Sequence, residues 1–186
     1  MSKKFELTSN LKVLCGRKLF QIKALVSFGN VKAGDLGGYV EKENNLSHDG
    51  DAWVYGNAKV YGNAWVYGDA KVYGNAEVCG NAWVYGNAEV YGNAEVCGNA
   101  WVYGNAEVCG NAWVYGDADY TTIKGFGTEF RTTTFFKCKD GVTRVRCGCF
   151  YGDLNEFREQ VKNTRSGKIA EEYFMIADLM EKHFDK

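Results

Sequence analysis

"WVYGNAEVYGNAEVCGNAWVYG", Trp83 to Gly104, is one six-residue word written over and over. Val, Gly, Asn and Ala keep their places, Tyr alternates with Cys, and a single position changes between Trp and Glu. Working outward, the word runs unbroken from Asp51 through eleven hexads of pattern N/D-A-x-V-Y/C-G, and a degenerate twelfth begins at Asp117. A fixed short period is the mark of a solenoid. A helix is excluded, because Gly-Asn in every hexad interrupts each second turn. A meander of identical hairpins is disfavoured, because identical units leave strand register unspecified.

A three-sided coil satisfies every position. Each hexad forms one short strand, Gly-Asn forms the corner, and three hexads close one coil. Val then points inward from mid-strand and Ala points inward beside the corner, while the residues flanking Val point out. Gly supplies the unusual corner dihedrals, and Asn is read as the residue that tolerates them next best.

The pattern resembles the hexapeptide-repeat proteins that form left-handed parallel β-helices, with an aliphatic residue followed four later by a small one, as in Val54…Ala58 and Val84…Ala88. Where that family often has a small or acidic residue after the aliphatic one, this chain has Tyr or Cys. The resemblance implies a left-handed coil, a homotrimer, and an acyltransferase as one candidate activity. The VYGNA word with its flanking segments is also similar to a group of phage and prophage proteins, which implies a bacteriophage origin.

At a period of 18 the variable position sorts into columns. One side reads Trp53, Lys71, Glu89, Glu107; the next Lys59, Glu77, Glu95, Trp113; the third Trp65, Trp83, Trp101. Tyr67, Tyr85 and Tyr103 run beside that third column. Two aromatic ladders on one side exceed what a soluble monomer normally leaves exposed. They are either covered, by the terminal segments or a second subunit, or they form a ligand or partner surface, where Trp and Tyr are favoured. Cys79 and Cys97 stack on adjacent coils and are expected to remain thiols, as are the other five cysteines. Glu77 over Glu95 and Glu89 over Glu107 place like charges in contact, the usual pattern of a solvated face.

The ends differ in composition. Residues 1–50 read as an N-terminal β cap: two strands around Gly16-Arg17, a Gly-Asn turn in "SFGNV", and an irregular first coil through Val40 and Leu46 with a two-residue bulge at "SHDGD". Residues 51–120 are the solenoid, and 121–186 a β-hairpin with a two-helix module. A two-residue Asp140-Gly141 loop would put Lys137, Lys139, Arg144 and Arg146 on one face, a candidate phosphate or nucleic-acid contact. Phe136, Cys138, Val145 and Cys147 would then take the other. "GDLNEFREQV" opens a helix with Asp153 as N-cap and Glu156 three later. The second helix carries Ile169, Phe174, Ala177, Met180 and Phe184 as its apolar stripe.

Charge divides as +3, −6 and +2 across residues 1–50, 51–119 and 120–186, too small a bias to demand a nucleic-acid or membrane partner. "MSKKFELTSN" has neither the apolar run nor the cleavage site of a signal peptide, so a cytoplasmic location in a bacterial host is expected. His48 and His183 are the only histidines, too few for a three-histidine metal site, and no loop leaves the repeats to cover a substrate. Cys138, Cys147 and Cys149 lack a fourth ligand for zinc. No catalytic residue, metal or cofactor is therefore assigned. The resulting expectation is a non-enzymatic, oligomeric β-solenoid binding protein that takes a host protein or nucleotide-type ligand through aromatic faces and inter-subunit clefts, with a counter-defence inhibitor or sponge as its setting. A structural phage component is the alternative, and an acyltransferase based on His48 a second.

Overall fold

The computed structural model describes residues 3–185. Three strands precede the repeat, β1 (Phe5–Leu14), β2 (Arg17–Ala24) and β3 (Leu36–Val40). Each hexad then contributes one two-residue strand, from β4 (Trp53–Val54) to β14 (Trp113–Val114). From β4 to β11, each repeat strand pairs in parallel with the strand three hexads on, so three sheets form the three sides. Side A runs Lys59, Glu77, Glu95, Trp113. Side B runs Trp53, Lys71, Glu89, Glu107. Side C runs Trp65, Trp83, Trp101. Val54 to Val114 are all fully buried inside the coils, with the repeat alanines beside them.

The corner divides its work between two residues differently from expectation. Glycine alone takes the left-handed conformation, with φ between 59° and 74° from Gly56 to Gly110. Asn does not share it. The Asn side chains instead stack into amide ladders along the axis, Asn63 donating to Asn81 and Asn81 to Asn99 at 3.2 and 3.0 Å. Asn75, Asn93 and Asn111 form a second ladder. Asn at the corner is therefore held by its neighbours above and below, as in stacked fibrils.

Along the axis the amides of three positions per hexad donate to the next coil. Asn87 bonds Gly104 O, Glu89 bonds Ala106 O and Tyr91 bonds Val108 O, at 2.8 to 3.0 Å. The first coil is consequently left with open carbonyls and the last with open amides. The N-terminal segment supplies donors. Tyr39 N and Glu41 N reach Ala58 O and Val60 O, and Ser47 N reaches Val66 O. The buried Asn45 side chain donates to Gly62 O and Ala64 O. The Lys4 ammonium, almost fully buried, donates to Gly50 O and Ala52 O and lies over the Phe28 ring. At the other end the cap supplies acceptors: Asp117 Oδ1 for Trp101 N, Thr134 Oγ1 for Glu107 N, and Asp119 Oδ2 for Tyr115 N.

β1 and β2 reverse at Cys15-Gly16, one residue before the expected Gly16-Arg17, since both carry the positive φ (48° and 78°) that a two-residue primed turn needs. Val40 lies against Val60 and Leu46 against Val66, so the first coil carries two residues more than a regular one. Phe5 and Phe28 close edge-on against Trp53, which is fully buried.

Beyond the repeat, β15 (Tyr120–Ile123), β16 (Thr133–Lys137), β17 (Thr143–Cys147) and β18 (Phe150–Asp153) form an antiparallel sheet, followed by α1 (Leu154–Thr164) and α2 (Gly167–Phe184). The sheet is a partition: Tyr120, Phe136 and Cys138 plug the solenoid core, while Phe135 and Val145 pack on the helices. Asp153 and Glu156 make the expected reciprocal cap at 2.8 Å each. In α2 the buried stripe is Ala170, Ile176, Ala177, Met180 and Phe184, with Ile169 and Phe174 only half-buried.

Two expectations are overturned here. The hairpin closes through three residues, Lys139-Asp140-Gly141, with Gly141 at φ 77° and Lys137 opposite Thr143. That register is one residue away from the expected one, and a one-residue slip sends every side chain to the other face. Arg144 and Arg146 therefore share a face with Phe136 and Cys138, and Lys137 falls with Phe135 and Val145. Cys79 and Cys97, read as thiols, are a disulfide, because axial stacking holds their Cα atoms 4.5 Å apart. The other five cysteines are free.

Two outcomes follow for stability. At Gly80, with φ 67°, an added Cβ would lie 2.9 Å from Gly98 N and O, so Gly80→Ala is expected to lower the unfolding free energy measured in urea by more than the roughly 1–2 kcal/mol of left-handed strain alone. Burial lowers the Lys4 ammonium pKa from 10.5 to about 8. The unfolded chain then holds more protons across that window, so wild-type stability rises from about pH 8 to 10.5 relative to Lys4→Met, as paired denaturation curves would record.

Candidate functional site

The three sides carry different surfaces although their backbones repeat. On sides A and B each glutamate is boxed in by its neighbours. Lys59 lies 2.8 Å from Glu77 and Lys71 lies 3.3 Å from Glu89. Their other oxygens accept from tyrosines one coil below, Tyr61 to Glu77 at 3.1 Å and Tyr73 to Glu89 at 2.7 Å, and Tyr91 donates to Glu107 at 3.0 Å. Burial pushes the Tyr61, Tyr73 and Tyr91 phenols up, so they stay neutral donors. The upper glutamates take their cations from the C-terminal hairpin, Lys139 for Glu95 and Arg146 for Glu107 at 2.7 Å. The stacked acids are thus joints within the molecule.

The same contacts dissolve the candidate phosphate patch. Lys137 pairs with Asp119 at 3.1 Å and Arg144 with Asp140 at 2.7 Å, while Lys139 and Arg146 hold the solenoid. None of the four forms an unpaired basic face. His48 is also committed: its Nδ1 accepts from Lys4 N at 3.2 Å and its ring stacks on Phe5 at 4.4 Å. Cys147 lies opposite Thr133, whose hydroxyl donates to its Sγ at 3.1 Å, well along the strand from Cys138.

Among the described residues side C has no ion pair, and the sequence-predicted aromatics come together there. Trp83 and Trp101 are parallel within 5° at 5.0 Å, while Trp65 meets Trp83 edge-on at 5.8 Å. Tyr67, Tyr85 and Tyr103 stack beside them at 4.8 and 5.3 Å. Such pairs contribute about 0.5–1.5 kcal/mol each beyond burial. Neither terminal segment covers the ladder: Trp65, Trp101 and Tyr103 remain 37%, 44% and 51% exposed. Trp113 and Tyr115 are also exposed at the top of side A, but as a single rung above Glu95.

The upper end of side C adds Asp117, Tyr120, Thr121 and Thr122, which the sequence did not mark as site residues, to Trp101 and Tyr103, which it did. Trp101, Tyr103, Asp117, Tyr120, Thr121 and Thr122 line a cavity of about 300 Å³. The only signal was the degenerate twelfth hexad, where "DADYTT" replaces the word.

Among known families, a model described as YdcK Beta solenoid repeat matches residues 52–68, close to one coil of this chain. Together with the stacking of every third hexad, that supports a repeat β-helix family. No curated protein matches the chain. No helix among the described residues is long and apolar enough to cross a membrane.

If the hairpin is anchored by the repeat's acids, a Glu107→Gln and Arg146→Met double-mutant cycle should give a coupling of about 1 kcal/mol in chemical denaturation. A cycle that closes at zero would mark the pair as incidental.

Proposed function

We propose that the protein is a non-enzymatic binding protein that assembles with copies of itself through side C, three in number as the hexapeptide-repeat resemblance implies. The observation that carries this reading is the contrast between the sides. Sides A and B spend their outward groups on internal ion pairs, whereas side C offers a continuous, uncharged Trp/Tyr ladder that its own chain leaves open. Rings of that kind supply rigid contact area at little entropic cost and dominate interface energetics. Rings stacked on one another offer few free faces to a run of bases, which favours a protein surface as the occupant of the flank. The clefts between copies then receive the partner. In the phage setting implied by the VYGNA resemblance, that partner is a host protein and the role is to block it.

Trp65→Glu tests this without disturbing the fold, because glutamate occupies the equivalent position on sides A and B. Light scattering across a concentration series should give a multimer for the wild type and a monomer for the variant, with matching circular dichroism. A wild type that stays monomeric throughout would overturn self-assembly.

A further inference from the structure

The side C ladder ends with its third strand, one rung short of the top of side A. A fourth rung would fall three hexads after Trp101, at Asp119. Residues Asp117–Asp119 instead turn as a 3₁₀ segment, and the Asp119 carboxylate swings to Tyr115 N, Gly116 N and Lys137. Trp101 therefore has Trp83 stacked beneath it and, among the described residues, no ring stacked above. Tyr103 ends its own column in the same way, over Tyr85. These two terminal rings are the most exposed of the six, and they wall the cavity closed by Asp117, Tyr120, Thr121 and Thr122.

The polar groups of that cavity define what fits beside the rings. Asp117 Oδ1 holds Trp101 N at 3.0 Å, and its other oxygen has no protein partner among the described residues. Thr121 and Thr122 also belong to the lining, and a threonine hydroxyl either donates or accepts. Among the described residues no cation lines the cavity, and the nearby Lys137 is paired with Asp119. A carboxylate accepts only, so it rewards an N–H edge and repels both ring acceptors and phosphate.

We propose that this open end is a binding site for a planar nitrogen heterocycle with adjacent N–H donors, of the guanine class and unphosphorylated. The ring takes the place of the missing rung on Trp101, through the stacking contact that any base face can make with an aromatic platform. Its N1–H and exocyclic amine face Asp117. Adenine presents an acceptor at N1 to the same carboxylate and is rejected.

The site shares Trp101 and Tyr103 with the proposed assembly face, and its test keeps the two apart. Calorimetric titration with guanosine, adenosine and guanosine 5′-monophosphate should give saturable guanosine binding, with adenosine at least tenfold weaker and the monophosphate weaker than guanosine. Trp101→Leu should abolish binding. Trp65→Glu, at the far end of the ladder, should retain it whether or not the assembly dissociates. Asp117→Asn keeps the oxygen that caps Trp101 N but turns the other acceptor into a donor, so the preference for guanosine over adenosine should vanish or invert while the melting curve is unchanged. Absence of saturable guanosine binding at millimolar concentration overturns the proposal. So does binding that survives Trp101→Leu, or a preference unaltered by Asp117→Asn. A monomeric wild type that still binds guanosine would overturn the assembly alone.

Discussion

The structure depends on axial register. Because each coil repeats after three hexads, every residue rests on its counterpart, and the chain is constrained by what tolerates being stacked on itself. Val over Val and Ala over Ala fill the interior. Gly over Gly is required where a Cβ would strike the backbone above. Asn over Asn gains a hydrogen bond from the arrangement, and Trp or Tyr over its like gains a stacked ring. Glutamate is the residue that loses, and each one is found with a lysine or arginine and a tyrosine supplied from another level or from the cap. The near-perfect repetition of the word is a list of residues that survive self-contact.

The same register makes the two ends chemically unlike. Amides that donate upward leave carbonyls at the bottom and N–H groups at the top. The bottom is accordingly closed by an ammonium, a carboxamide and strand amides, the top by two aspartates and a threonine hydroxyl. Burial lowers the proton affinity of Lys4, while its ammonium pairs two carbonyls that would otherwise be left unsatisfied. The caps and the repeat are matched parts, joined by donor and acceptor rather than by shape alone.

The coil geometry was legible because period and chemistry agreed: Val and Ala at fixed places leave only one inside, and the columns of every third hexad follow. The side C ladder came from the same arithmetic. What was hidden lay where a single residue of shift decides the outcome. The hairpin loop of three residues in place of two moved Arg144 and Arg146 to the face of Phe136 and Cys138, where Arg146 joins the solenoid at Glu107. Trp53 has the same sequence context as Trp65, and only the N-terminal arm folded over it makes it core. The disulfide was hidden because parallel side chains suggested no bridge, whereas stacked Cβ atoms lie close enough to join. The cavity beside Trp101 is formed by residues whose sequence merely looks like a repeat decaying.

Three-sidedness also restricts how such a chain can change its length. Near-identical hexads invite slippage during copying, and loss of one hexad would leave every corner and every inward valine in place. Yet everything above the lesion would turn by a third of a revolution. Without residues 89–94, Trp101 would rest on Glu77 rather than Trp83, and Glu107 would rest on Trp83. Backbone inheritance is counted in sixes while surface inheritance is counted in eighteens. Lineages of this protein should therefore grow and shrink by whole turns, although the fold itself would accept any number of sides.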